Sequence, residues 1–178
     1  MNSIKRNYEW KREDFLENIR LEKKGDVIHV MNGDSSVVFS TPEMRLPFGL
    51  DKQYNGYQAK LQCNQWDYKK GDQVQFISFL ETFENHLRSL LGVSKDNLGS
   101  QVYYHQKFPP IVSTKIIVGK NDSIITECID TSNRPLNIFK LDKGETVICK
   151  LMVDTIRPYK GKLWYKLKCK KIICVKSN

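Results

Sequence analysis

From Leu163 to Cys169 the chain places Leu163, Tyr165, Leu167 and Cys169 at every second position. A strand here turns those four side chains one way and Trp164, Lys166, Lys168 and Lys170 the other. The consecutive Lys170-Lys171 then breaks the period, which predicts a bulge before Ile172 to Val175. A similar alternation runs from Thr146 to Arg157, and Pro158-Tyr159-Lys160-Gly161-Lys162 supplies the reversal between the two strands. A disordered arm has no use for Val147, Cys149, Leu151 and Val153 at alternate positions, so this terminal block reads as the last hairpin of a folded core.

Upstream, Val27 to Val30 and Val37 to Ser40 read as two strands reversed at Asn32-Gly33-Asp34. Tyr57 to Cys63 alternates after the turn signal Tyr54-Asn55-Gly56-Tyr57, and further strands are expected at Thr114 to Val118 and Ser123 to Asp130, joined by Gly119-Lys120-Asn121-Asp122. Two segments carry helical spacing instead. Arg12 to Lys24 places Phe15, Leu16 and Ile19 on one side, with acids early, lysines late and Gly25 beyond, which predicts a short helix. From Asp72 to Gly92 the apolar positions Phe76, Ile77, Phe79, Leu80, Phe83, Leu87, Leu90 and Leu91 define an amphipathic helix with Asp72 as its N-cap. Three phenylalanines at this spacing are a core face rather than a ligand box.

The expected fold is therefore mainly β with α: an OB-fold-like barrel of five to six strands interrupted by one long amphipathic helix. It is expected as a single domain over 1–178, with a helix and hairpin extension over 1–40 and the barrel over 41–178. Five cysteines, without a C-x-x-C, fall mostly among alternating apolar residues and read as reduced, buried thiols rather than disulfides or zinc ligands. Met1 to Arg20 is polar and unlike a signal sequence, and no apolar run spans a bilayer, so a soluble intracellular protein with no membrane partner is expected.

Charge adds direction to this picture. The chain carries a net charge of +9, and all of it resides in Arg134 to Asn178, where 12 Lys/Arg face three acids. Such concentration points to a polyanion rather than to general solubility. Trp164 among three lysines sharpens the point, because phosphates attract the cations and an unstacked base needs a ring. Other stretches mix rings with cations: Arg157, Tyr159, Lys160 and Lys162 in the last hairpin, Trp66, Tyr68, Lys69 and Lys70 before the long helix, and Tyr103, Tyr104 and Lys107 beyond it. Lys60 lies on the polar side of its strand, between Gln58 and Gln62. Any one of these groups alone is equally well explained as the rim of a small β core; their recurrence carries the argument.

Catalytic signals are sparse. His29, His86 and His105 stand apart, and no nucleophile elbow, zinc-protease, P-loop or dinucleotide-binding motif is present. No enzyme activity and no cofactor or metal are expected.

Two stretches carry a family resemblance. Met44-Arg45-Leu46-Pro47-Phe48-Gly49, followed by the strand Tyr57 to Cys63, resembles the opening of the single-stranded DNA-binding proteins of nucleocytoplasmic large DNA viruses. The terminal stretch Gly144 to Leu167, through Pro158-Tyr159-Lys160-Gly161-Lys162-Leu163-Trp164, is similar to the final hairpin of that group and of T7-type phage single-strand binders. The resemblance implies a non-enzymatic protein that coats single-stranded DNA in viral replication, repair or recombination, at the replication site in the infected host's cytoplasm or in the virion. It also implies that Arg45, Phe48, Tyr159, Lys160 and Trp164 lie on or beside the DNA groove. The chain departs from the T7 type by ending in Lys170-Lys171 and Lys176 rather than in an acidic tail, which puts tail-mediated recruitment in doubt. RNA binding, or a virion or protein-interaction role for the barrel, uses the same features. Replication proteins as partners, and homo-oligomer formation, remain open from the sequence.

Overall fold

The computed structural model describes residues 7–63 and 71–175. A 3-10 turn at Glu9–Lys11 leads through further turns into β1 (Ile19–Lys24), β2 (Val27–Asn32) and β3 (Ser35–Ser40), a meander of antiparallel strands. The helix expected over Arg12 to Lys24 is absent. Ile19 and Leu21 instead alternate with Arg20 and Glu22 and pair with Asn32 and Val30 of β2. Too few residues preceded Gly25 for local helical spacing to outweigh a six-residue ladder, since short helices depend on tertiary packing. The β2–β3 hairpin matches expectation, its two-residue turn falling at Gly33-Asp34.

Next come β4 (Met44–Leu46), β5 (Leu50–Gln53), β6 (Gly56–Gln62) and the helix α1 (Asp72–Leu91). Gly71, not Asp72, is the N-cap, and Asp72 in the first turn pairs with Lys11 at 2.7 Å. Phe76, Leu80, Phe83 and Leu87 of α1 are fully buried, whereas Leu90 is exposed. The helix rings meet Trp10, Phe15 and Phe39 in one aromatic cluster, which is why the N-terminal turn is folded onto the core despite lacking a helix.

After α1 follow β7 (Leu98–Gly99), β8 (Val102–Tyr103), β9 (Ile111–Ile116) and β10 (Glu127–Asp130). The expected pairing of the third and fourth of these is reduced to a single bridge, Val118 to Ile124. A 3-10 turn at Lys120–Asp122 carries the chain away, and β10 pairs in parallel with the last strand instead. The terminal block forms β11 (Glu145–Val153), β12 (Thr155–Tyr159), β13 (Lys162–Tyr165) and β14 (Lys168–Cys174). Both long expected strands are thus interrupted, the first at Asp154 and the second at Lys166-Leu167. The predicted bulge is present: Lys171 pairs with Lys150 and Cys169 with Leu151, leaving Lys170 as the extra residue.

Five strands close a ring. β4 pairs with β6, β6 with β9, β9 with β14, β14 with β11, and β11 returns to β4, every contact antiparallel except β9–β14. In barrel order these are strands one, two, three, five and four, with α1 in the connection between the second and third. This is an OB-fold barrel. Its interior holds Met44, Leu46, Leu61, Val112, Val147, Cys149, Leu151, Cys169 and Ile172, and all five cysteines are buried and free. Beyond Asp154 the chain leaves the barrel. There β12 pairs with β2 and β13 with β7, so the outer half of the last hairpin is braced by the N-terminal extension on one side and by the segment after α1 on the other.

Candidate nucleic-acid interface

The interruption at Asp154 decides where the basic hairpin points. Had β11 and β14 run straight to the turn, the hairpin would project as an isolated ribbon; pairing with β2 and β7 bends it over one face of the barrel. The two-residue turn that closes it, Lys160-Gly161, has φ of 49° and 76°. Positive values at both positions give the turn whose twist matches the flanking strands, with glycine carrying the second at little cost.

Opposite stands the β5–β6 hairpin, whose tip carries the fully exposed Tyr54. Between the two hairpins runs an open groove of about 720 Å³, floored by the outer face of β6 and β9. The floor follows from strand parity. Ala59 faces Thr114 inside the barrel, so Gln58 with Lys115 and Lys60 with Ser113 fall on the outside.

Among the described residues the groove lining combines cations with rings and includes no carboxylate. Lys115, Arg157, Lys166 and Lys168 supply charge; Tyr54, Tyr57, Tyr103, Tyr159 and Trp164 supply aromatic surface; Gln53, Gln58 and Gln101 supply amides. Lys168 pairs with Asp154 at 2.8 Å, just outside the lining. Among the described residues Lys115, Arg157 and Lys166 make no ion pair. Burial lowers the Lys166 ammonium's pKa, and the neighbouring positive charges of Lys115, Lys168 and Arg157 lower it further. Crowding like charges in a half-buried floor opposes folding unless an anion relieves it.

Trp164 is half-buried, and its Nε1 donates to the Tyr159 carbonyl at 3.3 Å. Lys162 Nζ lies 5.6 Å from its ring centroid, and Lys160 Nζ 5.3 Å from that of Tyr159. Beneath the groove Tyr165 points inward and donates to Glu84 of α1 at 2.9 Å. Glu84 also accepts from Ser100 Oγ at 2.8 Å and lies 3.5 Å from Arg88, while burial pushes its own pKa up.

Of the residues singled out from sequence, Tyr103, Arg157, Tyr159, Trp164, Lys166 and Lys168 line the groove. Lys160 and Lys162 cap the hairpin above it. Lys60, Phe48 and Arg45 form a neighbouring group on the same barrel face: Lys60 pairs across from the lining residue Ser113, its Nζ sits 5.7 Å from the Phe48 ring centroid, and Arg45 pairs across from Gln62. Tyr104 and Lys107 are exposed on the loop between β8 and β9, outside the groove. Lys170, the bulge residue, is exposed and lies outside the groove lining. Lys168 lines the groove and pairs there with Asp154. Trp66, Tyr68, Lys69 and Lys70 lie outside the described residues. Lys115, Tyr54 and Tyr57 were missed; the first alternates within a strand, and the tyrosines flank an Asn-Gly that reads only as a turn.

Folded molecules of similar form were found among solved structures. The fold is shared with phage single-stranded DNA-binding proteins. The C-terminally truncated single-stranded DNA-binding protein from bacteriophage Enc34 is similar with a TM-score of 0.53 at 14% identity, covering 91% of this chain and 95% of that one. The same phage's protein in complex with single-stranded DNA gives 0.50 at 11% identity, over 91% and 97%. The gp2.5 single-stranded DNA-binding protein encoded by bacteriophage T7 gives 0.52 at 9% identity, over 81% and 88%. No protein-family model and no curated protein matches the sequence. Among the described residues no helix is long and apolar enough to cross a membrane.

Proposed function

We propose that this chain binds single-stranded DNA without base preference and serves viral DNA replication, repair or recombination, as the resemblance to large-DNA-virus and phage proteins implies. One observation carries the reading: the outer face of barrel strands two and three, flanked by the one–two and four–five connections, is where OB folds take oligonucleotides. Among the described residues of this chain that surface holds three cations without ion pairs, five rings and no carboxylate. The cations suit phosphates, and the rings offer stacking surfaces that any base satisfies, at about 1–3 kcal/mol per base. A duplex hides its base faces, so the rings favour separated strands. The likeness to the Enc34 protein, solved with single-stranded DNA, supports the same use of the fold.

The test is titration of a labelled oligo-dT against a duplex of equal length, with a matched RNA strand as competitor. Tighter binding to oligo-dT, weakening steeply with salt, is the expected result. Equal or tighter duplex binding overturns the proposal, and displacement by RNA at lower concentration than by DNA moves the substrate to RNA.

A further inference from the structure

Gly99 is buried in the two-residue strand β7 and pairs directly across from Trp164. The indole lies over it so closely that a Cβ at this position would fall 2.1 Å from Cε3, 2.2 Å from Cζ3 and 2.6 Å from Cδ2. No side chain fits there unless the ring moves. Gly99 has no positive φ, so backbone conformation does not explain the glycine; the ring does.

The seat is held from beneath. Ser100 Oγ and the Gln101 backbone N–H both donate to the buried Glu84, at 2.8 and 3.3 Å, and Gln101 Nε2 donates to the Tyr165 carbonyl at 2.7 Å. The segment after Gly99 is thereby fastened to α1 and to the residue following Trp164. With its Nε1 bonded to Tyr159, the indole is fixed at its edge and over its floor before any strand arrives. A ring fixed in advance loses less conformational freedom when a base stacks on it.

We propose that Gly99 is a positioning residue for a Trp164 stacking platform, the missing side chain being what lets the indole lie in the groove wall in the orientation a base requires. The proposal rests on the single-strand reading for its ligand but not for its geometry, and one set of variants separates the two.

Gly99→Ala is expected to lower oligo-dT affinity toward the level of Trp164→Ala, a loss of roughly 5- to 150-fold across the range measured for stacking rings. The salt slope stays unchanged, because no cation is removed. In a Trp164→Ala background, Gly99→Ala is expected to alter neither affinity nor thermal midpoint, since no ring remains to collide with the new methyl. That rescue also serves if Gly99→Ala alone is too unstable to titrate. A stability defect that persists without the ring, or affinity losses that add in the double variant, overturns the proposal. Wild-type chain that fails to bind oligo-dT overturns the single-strand reading while leaving the stability rescue to judge the seat.

Discussion

Lys115→Gln removes a charge that no carboxylate among the described residues pairs with, from the groove floor. Lys115 sits on β9 opposite Gln58 on one side and beside Lys168 of β14 on the other. A phosphate contact on a single strand contributes roughly 0.7 to the slope of log affinity against log salt. Counting only the three groove cations without ion pairs, the wild-type slope is about −2, and the variant falls to about −1.4. Raising salt from about 50 to about 200 mM then weakens the wild type roughly 20-fold and the variant roughly 7-fold. Cations outside the groove shift both slopes together and leave the difference intact. Fluorescence titrations with one oligo-dT at four salt concentrations measure it. Stability provides an independent check, because relieving the repulsion around Lys166 leaves the thermal midpoint unchanged or raises it. An unchanged slope, with binding retained, refutes the assignment of this floor as the phosphate track.

Asp154→Asn frees Lys168, so oligo-dT affinity is expected to rise and the salt slope to steepen by up to about 0.7, while stability changes little because part-exposed pairs are worth about 0–1 kcal/mol; unchanged binding would show that Lys168 does not meet the strand. Glu84→Ala leaves Tyr165, Ser100 and Arg88 without their shared acceptor, and the expected loss in urea unfolding is about 3–5 kcal/mol; a loss below about 1 kcal/mol contradicts the bracing role. Burial raises the Glu84 pKa, so the folded form holds the proton more tightly than the unfolded one, and Glu84's contribution to stability declines as pH rises from its ordinary value through its folded value. Glu84→Gln is expected to flatten that part of the stability profile, followed as urea midpoints across acidic pH. Lys160→Asn places a residue suited to positive φ in the turn, so the thermal midpoint is expected to hold or rise while the salt slope loses about 0.7 if Lys160 meets a phosphate.

How much of this was legible in the sequence depends on which interactions decide each element. Where strand alternation was strong, Val147, Cys149, Leu151, Val153, Tyr165, Leu167 and Cys169 are buried as expected, because a period of two fixes which side chains face the core whatever the partner strand, while Leu163 is only half-buried and Ile148, on the other face, is buried as well. The bulge at Lys170 was legible for the same reason. Partner choice was not: β10 pairs with β14 rather than with its neighbour in sequence, and β1 is a strand because β2 is there to receive it. Pattern reports a face, while pairing is settled by contacts distant in sequence.

The candidate interface divides along the same line. Residues that alternate along one stretch of chain, such as Trp164, Lys166 and Lys168, could be grouped from the chain alone. Those joined only by cross-strand register could not: Lys115 enters the groove because β9 lies between β6 and β14, and Tyr54 because the β5–β6 hairpin stands across from β12–β13. Register also explains why the Arg45, Phe48 and Lys60 group, far from the terminal hairpin in sequence, shares its surface. Lys60 sits across from Ser113, and Ser113 is two residues from Lys115 on the same side of β9. A strand laid along the groove from Trp164 therefore passes Lys115 and Ser113 and meets Lys60 and Phe48 next, without crossing the barrel edge. The basic block at the end of the chain supplies one wall of the candidate interface and part of its charge; its floor comes from strands in the preceding part of the chain, residues 1–133, where acids and bases balance.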